Sequence, residues 1–389
     1  MLLKKRFVKL KNLCEQIRGV SYTPKDVRDT PAEGYLPVLR ANNIQDKITL
    51  DDLVYVNHKK IGAEQLLKEG DILICASSGS KKIVGKAVMV HNLTIQPASF
   101  GAFCKIVRPT KIYAPYLAHF FNSSYYRNTI SHTALGANIN NIRNEHINNL
   151  DIPYPDQTEQ KRIAERLDKV QELIALQKEQ LKKLDDLIKS HFIDLFGDPV
   201  INEKKWEIKT LKDLGKVMSG GTPSRGIPEY FGGNINWFSA GELNSLFLTK
   251  SLETITEEGL LHSNAKLFPA GSLLIGMYDT AAFKLGILKQ KSAFNQACAA
   301  IFPKIVKVVW LYYVLSLLKS EALKFRRGIR QKNLNLQFIR DFEVPVPPAD
   351  LQNKFVNFMT NIEAQKGLLT ARLSHLETLY KSLMQEYFG

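Results

Sequence analysis

The sequence predicts an α+β protein with two similar mixed α/β domains, each on a twisted or barrel-like sheet. Two long antiparallel coiled-coil helices separate them, in a pseudo-twofold internal repeat. Three observations predict this fold. Residues 153–197 recur as residues 345–389 at a constant offset of 192, without a gap and with eleven identities in 45 positions. Both copies carry helix start and stop signals around apolar residues spaced alternately four and three apart. The segments preceding the two copies also echo each other, as short apolar runs punctuated by turn residues.

The first domain, residues 1–155, opens on Leu10, Leu13 and Gly19, which read as a short helix before a loop. Asp71 to Cys75 and Ile83 to Val90 read as strands, and Tyr113 to Thr129 as an aromatic-rich helix. The first spacer helix, residues 156–197, follows the extended approach Pro153-Tyr154-Pro155. Asp156, three residues before Glu159, suits a capping box, and Gly197 with Pro199 ends the helix. Its seam runs Ile163, Leu167, Val170, Ile174, Gln177, Leu181, Leu184, Ile188, His191 and Leu195.

The second domain, residues 198–348, repeats the opening as Leu211, Leu214 and Gly220, at an offset of 201. At the same offset Gly271-Ser272-Leu273-Leu274-Ile275 matches Gly70-Asp71-Ile72-Leu73-Ile74, and Gly286 matches Gly85. Leu285 to Lys289 reads as a strand and Trp310 to Arg326 as a helix. The second spacer helix, residues 349–389, takes Asp350 as its cap and Gly389 as its stop. Its seam is Phe355, Met359, Ile362, Lys366, Leu369, Leu373, Leu376, Tyr380, Leu383 and Tyr387, interrupted at Lys366-Gly367. Gln177, His191 and Lys366 are polar register markers rather than metal ligands. At ~1.5 Å per residue each helix would be about 57 Å long, a spacer rather than a core element. Each seam needs a partner, and the second copy supplies one of equal length, so the halves are expected at opposite ends of a paired rod.

Charge then says what the halves meet. Residues 157–197 hold eight basic and eight acidic side chains, and residues 350–389 hold four of each. Residues 1–156 hold 21 basic against 13 acidic, and residues 198–349 hold 20 against 13, so the domains carry the whole net charge of +15. A basic surface confined to two similar units points to a shared polyanion, above all the phosphate backbone of nucleic acid. Anionic membrane is the competitor, but no window reaches the ~18 apolar residues of a spanning helix. Met1-Leu2-Leu3-Lys4-Lys5-Arg6 lacks the apolar stretch of a signal peptide, so a cytoplasmic chain is expected. Cys14, Cys75, Cys104 and Cys298 lie far apart, without metal-ligand spacing, and are expected as reduced, mostly buried thiols.

The order of these segments resembles the specificity (S) subunits of type I restriction-modification systems over the full chain. The resemblance rests on the two Gly-initiated strands, on Ile152-Pro153-Tyr154-Pro155 and Val344-Pro345-Val346-Pro347, on Gln160 and Gln352, and on Leu195-Phe196-Gly197-Asp198-Pro199. It implies two target recognition domains that read a split sequence in double-stranded DNA, one half-site each. It also implies two modification (methyltransferase) subunits along the helices and restriction (endonuclease/translocase) subunits beyond them. S-adenosylmethionine, ATP and magnesium would then sit on those partners, with no cofactor or catalytic residue here. The residues agree. No Asn/Asp-Pro-Pro-Tyr/Phe segment is present, and Gly79 to Lys86 has the wrong glycine spacing for a phosphate loop, with Ala87 where a metal-binding hydroxyl is required. A coiled-coil scaffold whose basic halves bind acidic proteins is the alternative.

Base edges call for Arg, Asn, Gln, Lys or acidic side chains on loops, and phosphates for Lys and Arg. In the first domain the candidates are Arg40, Asn42 and Asn43 after a strand, then Ser78, Ser80, Lys81 and Lys82, then Asn138, Asn140 and Arg143. The corresponding places in the second give Ser239, Glu242 and Asn244, then Tyr278, Asp279, Thr280 and Lys284, then the basic cluster Arg326, Arg327, Arg330 and Lys332. If helix length sets the distance between readers, inserting four residues into one spacer helix lengthens the nonspecific gap and leaves both half-sites unchanged, as read by base-resolution methylation mapping.

Overall fold

Both long helices form, as Gln157–Phe196 and Ala349–Phe388 of 40 residues each, in a computed structural model that describes residues 6–80, 82–133, 140–326 and 333–389. Asp156 Oδ1 accepts from Glu159 N at 2.9 Å and caps the first. Gly197, at φ +75°, ends it, and the Trp206 indole donates to Phe196 O at 2.8 Å. The second begins at Ala349, so Asp350 sits in its first turn instead of capping it. Gly367 leaves this helix unbroken, and a Cβ there would meet nothing within 4 Å.

The chain divides into two units: Met1–Glu179 with Thr370–Gly389, and Gln180–Leu369. Unit 1 opens with β1 (Phe7–Lys9), β2 (Cys14–Arg18), β3 (Val27–Arg28), β4 (Tyr35–Leu39) and β5 (Val54–Asn57). Then come β6 (Ile72–Cys75), β7 (Ser77–Ser78), β8 (Ala87–Met89), β9 (Ser99–Phe100), β10 (Cys104–Pro109), β11 (Asn140–Asn141) and β12 (Asp151–Pro153). They make an antiparallel sheet ordered β2-β10-β6-β8, a second sheet ordered β3-β5-β4-β9, and the pairs β1-β12 and β7-β11. The helix expected over Tyr113 to Thr129 is two, Ala114–Phe120 and Ser124–Thr133, because the Ser123 hydroxyl accepts from Tyr126 N and starts a new one.

Unit 2 carries β13 (Glu207–Thr210), β14 (Gly215–Ser219), β15 (Phe231–Phe238), β16 (Phe247–Leu248) and β17 (Glu253–Ile255). It continues with β18 (Leu273–Gly276), β19 (Leu285–Leu288), β20 (Ala293–Phe294), β21 (Cys298–Pro303) and β22 (Glu343–Val346). Its sheets are ordered β14-β21-β18-β19-β16 and β17-β15-β20, with the pair β13-β22. The plan of unit 1 returns, and its aromatic helix is again split, into Val308–Leu317 and Lys319–Lys324.

Each unit packs the start of one long helix against the end of the other. In unit 1, Ile163, Ala164 and Leu167 share a core with Leu383, Met384, Tyr387 and Phe388, and the Phe388 ring lies 5.0 Å from Tyr116 and 5.9 Å from Phe120. In unit 2, Ile188, Phe192 and Phe196 meet Phe355, Met359 and Ile362, with Phe192 and Phe355 edge to face at 5.3 Å. The pairing is antiparallel in both. Arg166 reaches Tyr387 and Lys178 reaches Glu377 in unit 1; Asp185 reaches Lys366 and His191 reaches Phe358 in unit 2. Burial broadens at the helix ends, which also dock on a domain, and narrows between them, where Leu173, Leu176, Leu187 and Leu368 are exposed. The four cysteines are free thiols, and burial pushes all four above their ordinary pKa.

One side chain per repeat fixes how the long helix leaves its domain. Gln160 is buried; its Oε1 accepts from Tyr113 N and its Nε2 donates to Pro155 O, both at 2.9 Å. Gln352 is buried in the same way, accepting from Lys307 N at 2.8 Å and donating to Pro347 O at 2.9 Å. Tyr113 and Lys307 each precede the aromatic helix of their unit, so the glutamine ties three backbone segments together. Replacing Gln160 by Leu leaves one donor and one acceptor unpaired in the interior, which destabilises the chain by about 2–4 kcal/mol in urea unfolding.

Candidate nucleic-acid interface

The polar residues after β4 form a turn whose geometry decides their roles. Asn43 Oδ1 accepts from Arg40 N at 2.8 Å, and its Nδ2 donates to Thr49 O at 3.0 Å and Asp51 O at 2.7 Å. Asn43 is fully buried, and these bonds use both ends of its amide. The expectation that Asn43 touches a ligand is therefore corrected: it builds the turn that presents Arg40 and Asn42. Arg40 Nη2 is steadied by Asp52 O at 2.6 Å, while its Nε is buried without a partner. Arg40 and Asn42 line a cleft of about 500 Å³ with Tyr22, Ser77 and Phe103.

Ser77 leads into the next group. In the β7-β11 ladder Ser78 faces Asn140, and Ile142 N donates to Ala76 O at 2.8 Å. Ser78 Oγ accepts from Ser80 N at 3.1 Å and Ser80 Oγ from Lys82 N at 3.3 Å, so both serines shape their own turn. Arg143 projects into solvent, with 74% of its side chain exposed and Glu145 3.4 Å away. Lys82 lies outside the Arg40 cleft. It borders a separate cavity of about 810 Å³ with Lys86, Arg127, Lys178 and Lys381. Lys81 and Asn138 lie outside the described residues.

Unit 2 repeats the turn with different chemistry. Ser239 N and Oγ donate to Glu242 Oε2 at 2.8 and 2.7 Å, and Leu252 N donates to Oε1 at 2.7 Å. Ser239 and Glu242 thus close their own turn, with the Glu242 carboxylate accepting at both oxygens. Asn244 and Lys284, expected from separate loops, meet at 2.9 Å. Tyr278, Asp279 and Thr280 are exposed, and Asn333 Oδ1 accepts from Asp279 N at 3.0 Å. Leu334 N donates to Met277 O at 2.8 Å, the counterpart of Ile142 to Ala76. Arg326 donates through Nε to Leu323 O at 3.3 Å, closing a helix end. Arg327, Arg330 and Lys332 lie outside the described residues.

Three residues of this region escaped the sequence reading: Tyr22, Phe103 and Lys105. Ser99 to Cys104 aligns with Ala293 to Cys298 through Phe100/Phe294 and Cys104/Cys298, and that alignment would have marked the turn bearing Phe103. Lys105 is buried against the segment that follows β11, with its Nζ 2.5 Å from Asn144 Oδ1 and 3.4 Å from Ile142 O, and no carboxylate answers its charge in these bonds.

The family model for the type I restriction modification DNA specificity domain matches residues 4–186 and again residues 203–378. The chain belongs to this family. The type I restriction enzyme StySPI specificity subunit of Salmonella potsdam is 42% identical over 175 residues, 44% of this chain and 37% of the relative. The EcoKI specificity subunit of Escherichia coli (strain K12) is 40% identical over 194 residues, 49% of this chain and 41% of the relative. The chain spans about two fifths of the length of these relatives. The crystal structure of the type I restriction-modification system S subunit from M. genitalium shares the fold, with a TM-score of 0.64 at 15% identity over 100% of this chain and 98% of that one. Among the described residues of this specificity-family chain, no helix is long and apolar enough to cross a membrane, and no group of three or more His, Cys, Asp or Glu could hold a metal ion.

Lys105 gives the region a pH signature. Burial, and then Arg18 across the β2-β10 ladder, pushes its pKa from the ordinary 10.5 down to about 8. Between those values the unfolded chain holds a proton that the folded chain has lost, so this residue favours folding more as pH rises through the window. In urea unfolding at about pH 7.5 and 9.5, wild type gains stability on Lys105→Met as pH rises, because the variant lacks this titration.

Proposed function

We propose that this chain is the DNA sequence-specificity subunit of a type I restriction-modification complex. It binds a bipartite duplex target, one half-site per recognition domain, and positions two modification subunits and the restriction subunits. Methyl transfer, ATP use and cleavage belong to those partners, with S-adenosylmethionine, ATP and magnesium bound there, and this chain contributes no catalytic residue. The observation that carries the reading is the double family match, one copy over each half of an internally repeated chain. The basic excess confined to the two domains supports it, since a polyanion touched by both is what duplex DNA offers.

The working division is a recognition domain over 1–155, a spacer helix over 156–197, a second recognition domain over 198–348 and a second spacer over 349–389. We assign Arg40, Asn42, Ser78, Ser80, Lys82, Asn140 and Arg143 to the first half-site, with Lys81 and Asn138 beside them in sequence. Asn244, Tyr278, Asp279, Thr280, Lys284 and Arg326 serve the second, together with Arg327, Arg330 and Lys332. Long cations on exposed loops suit phosphates, and amides and hydroxyls suit base edges. Duplex binding by the chain with its modification partner is expected to weaken linearly in log-log plots against salt while one bipartite sequence stays preferred. Enrichment of no bipartite sequence from a random duplex pool would overturn the reading and leave a scaffold for acidic proteins.

A further inference from the structure

Two short turns, each carrying the chain from one sheet to another, occupy the same place in the two units. In unit 1 the turn Gly101 to Phe103 joins β9 to β10; in unit 2 Asn295 to Ala297 joins β20 to β21. Their frames are alike. Phe100 and Cys104 are buried, as are their counterparts Phe294 and Cys298. Phe103 O accepts from Ala76 N at 2.9 Å and from Ser77 N at 3.1 Å, and Ala297 O accepts from Met277 N at 2.8 Å. A glycine passes beneath each turn, where a Cβ on Gly19 would stand 2.1 Å from Gly101 O and one on Gly220 would stand 2.1 Å from Phe294 O. Only glycine permits that approach, so the turns are held in place by backbone.

What the turns offer differs. In unit 1 Phe103 is 69% exposed and lines the cleft shared with Tyr22, Arg40 and Asn42. In unit 2 the counterpart of Phe103 is Ala297, and the cleft of about 450 Å³ is polar, with Thr222 donating to Gln296 Oε1 next to Asn264 and Lys266. A fixed frame with exchanged side chains is the arrangement of a part that selects. An apolar ring exposed at a cleft that an arginine also lines has its best partner on the floor of the major groove in the 5-methyl group of thymine, the one methyl group presented there, because contact with the donors and acceptors of the other edges would leave them unpaired.

We propose that Phe103 is a specificity-determining residue that packs on the 5-methyl group of a thymine in the first half-site. The inference rests on the reading of this chain as a DNA-specificity subunit. Arg40, its Nη2 steadied by Asp52 O, lies at the same cleft and serves a neighbouring acceptor. The polar turn of unit 2 has no such ring, so the second half-site lacks this dependence on a methyl group.

The test uses the full chain with its modification partner and the bipartite duplex that the wild type enriches from a random pool. Each thymine is replaced singly by uracil, which removes only the methyl group. One uracil in the first half-site is expected to weaken wild-type binding about fourfold, the worth of one buried methyl group. Phe103→Leu is expected to keep that sensitivity and Phe103→Ala to lose it, while a pool selected again with Phe103→Ala relaxes at that thymine alone. No uracil effect in the first half-site, no thymine there, or an undiminished effect in Phe103→Ala overturns the proposal and leaves the DNA-specificity reading intact. A wild type that enriches no bipartite sequence overturns both. The uracil series on wild type and Phe103→Leu decides the matter even where the alanine variant folds poorly.

Discussion

A buried glutamine at the root of each long helix governs this structure. A helix of 40 residues departing from a small domain gains its direction only where its first turn is fixed. Gln160 and Gln352 fix it by joining the proline-flanked approach behind the helix to the backbone N–H in front of the aromatic helix. An amide suits the role because it donates and accepts at once; a carboxylate would leave the carbonyl unanswered in the interior, and an aliphatic side chain would leave both groups so. With that root set, the aromatic helix faces the long helices, and Tyr116 in one unit and Trp310 in the other complete the cores.

The repeat keeps its frame and changes its chemistry. In unit 1 Arg108 holds the buried Asp71 with two bonds, at 2.8 and 2.7 Å, across adjoining strands. The matched positions in unit 2 are Phe302 and Ser272, where Ser272 Oγ donates to Pro269 O at 2.8 Å and no ion pair is needed. A buried carboxylate needs a partner for its charge, and the copy that lacks the carboxylate also lacks the guanidinium. The turns Arg40–Asn43 and Ser239–Glu242 behave likewise, with one backbone shape closed by an amide in one copy and by a carboxylate in the other.

Much of the fold was legible because its signals are local and repeated: capping residues, the seam spacings, the glycines at both helix ends and the paired strands beginning at Gly70 and Gly271. Where the reading failed, the cause was tertiary. The aromatic helices break after Phe120 and Leu317, which periodicity does not register. Ala164, Phe192 and Met384 are buried although they lie off the seam, because the helix ends also meet a domain and bury a wider face. The site was less legible, since Asn43, Ser239 and Glu242 belong to the residue types that both close turns and read bases. Spacing of three between a turn's first residue and its acceptor was the clue to their role. Phe103 escaped because an exposed aromatic residue carries no mark in the sequence that separates it from a buried one.

Unit 2 is a single unbroken stretch of chain, whereas unit 1 is assembled from two stretches with all of Gln180–Leu369 between them. Its aromatic floor at Tyr116 and Phe120 is covered by Phe388. On the ribosome the order of synthesis and the order of completion therefore run opposite to each other. The earlier-made unit waits, with an oily surface open to water and to chaperones, until the later-made one has passed.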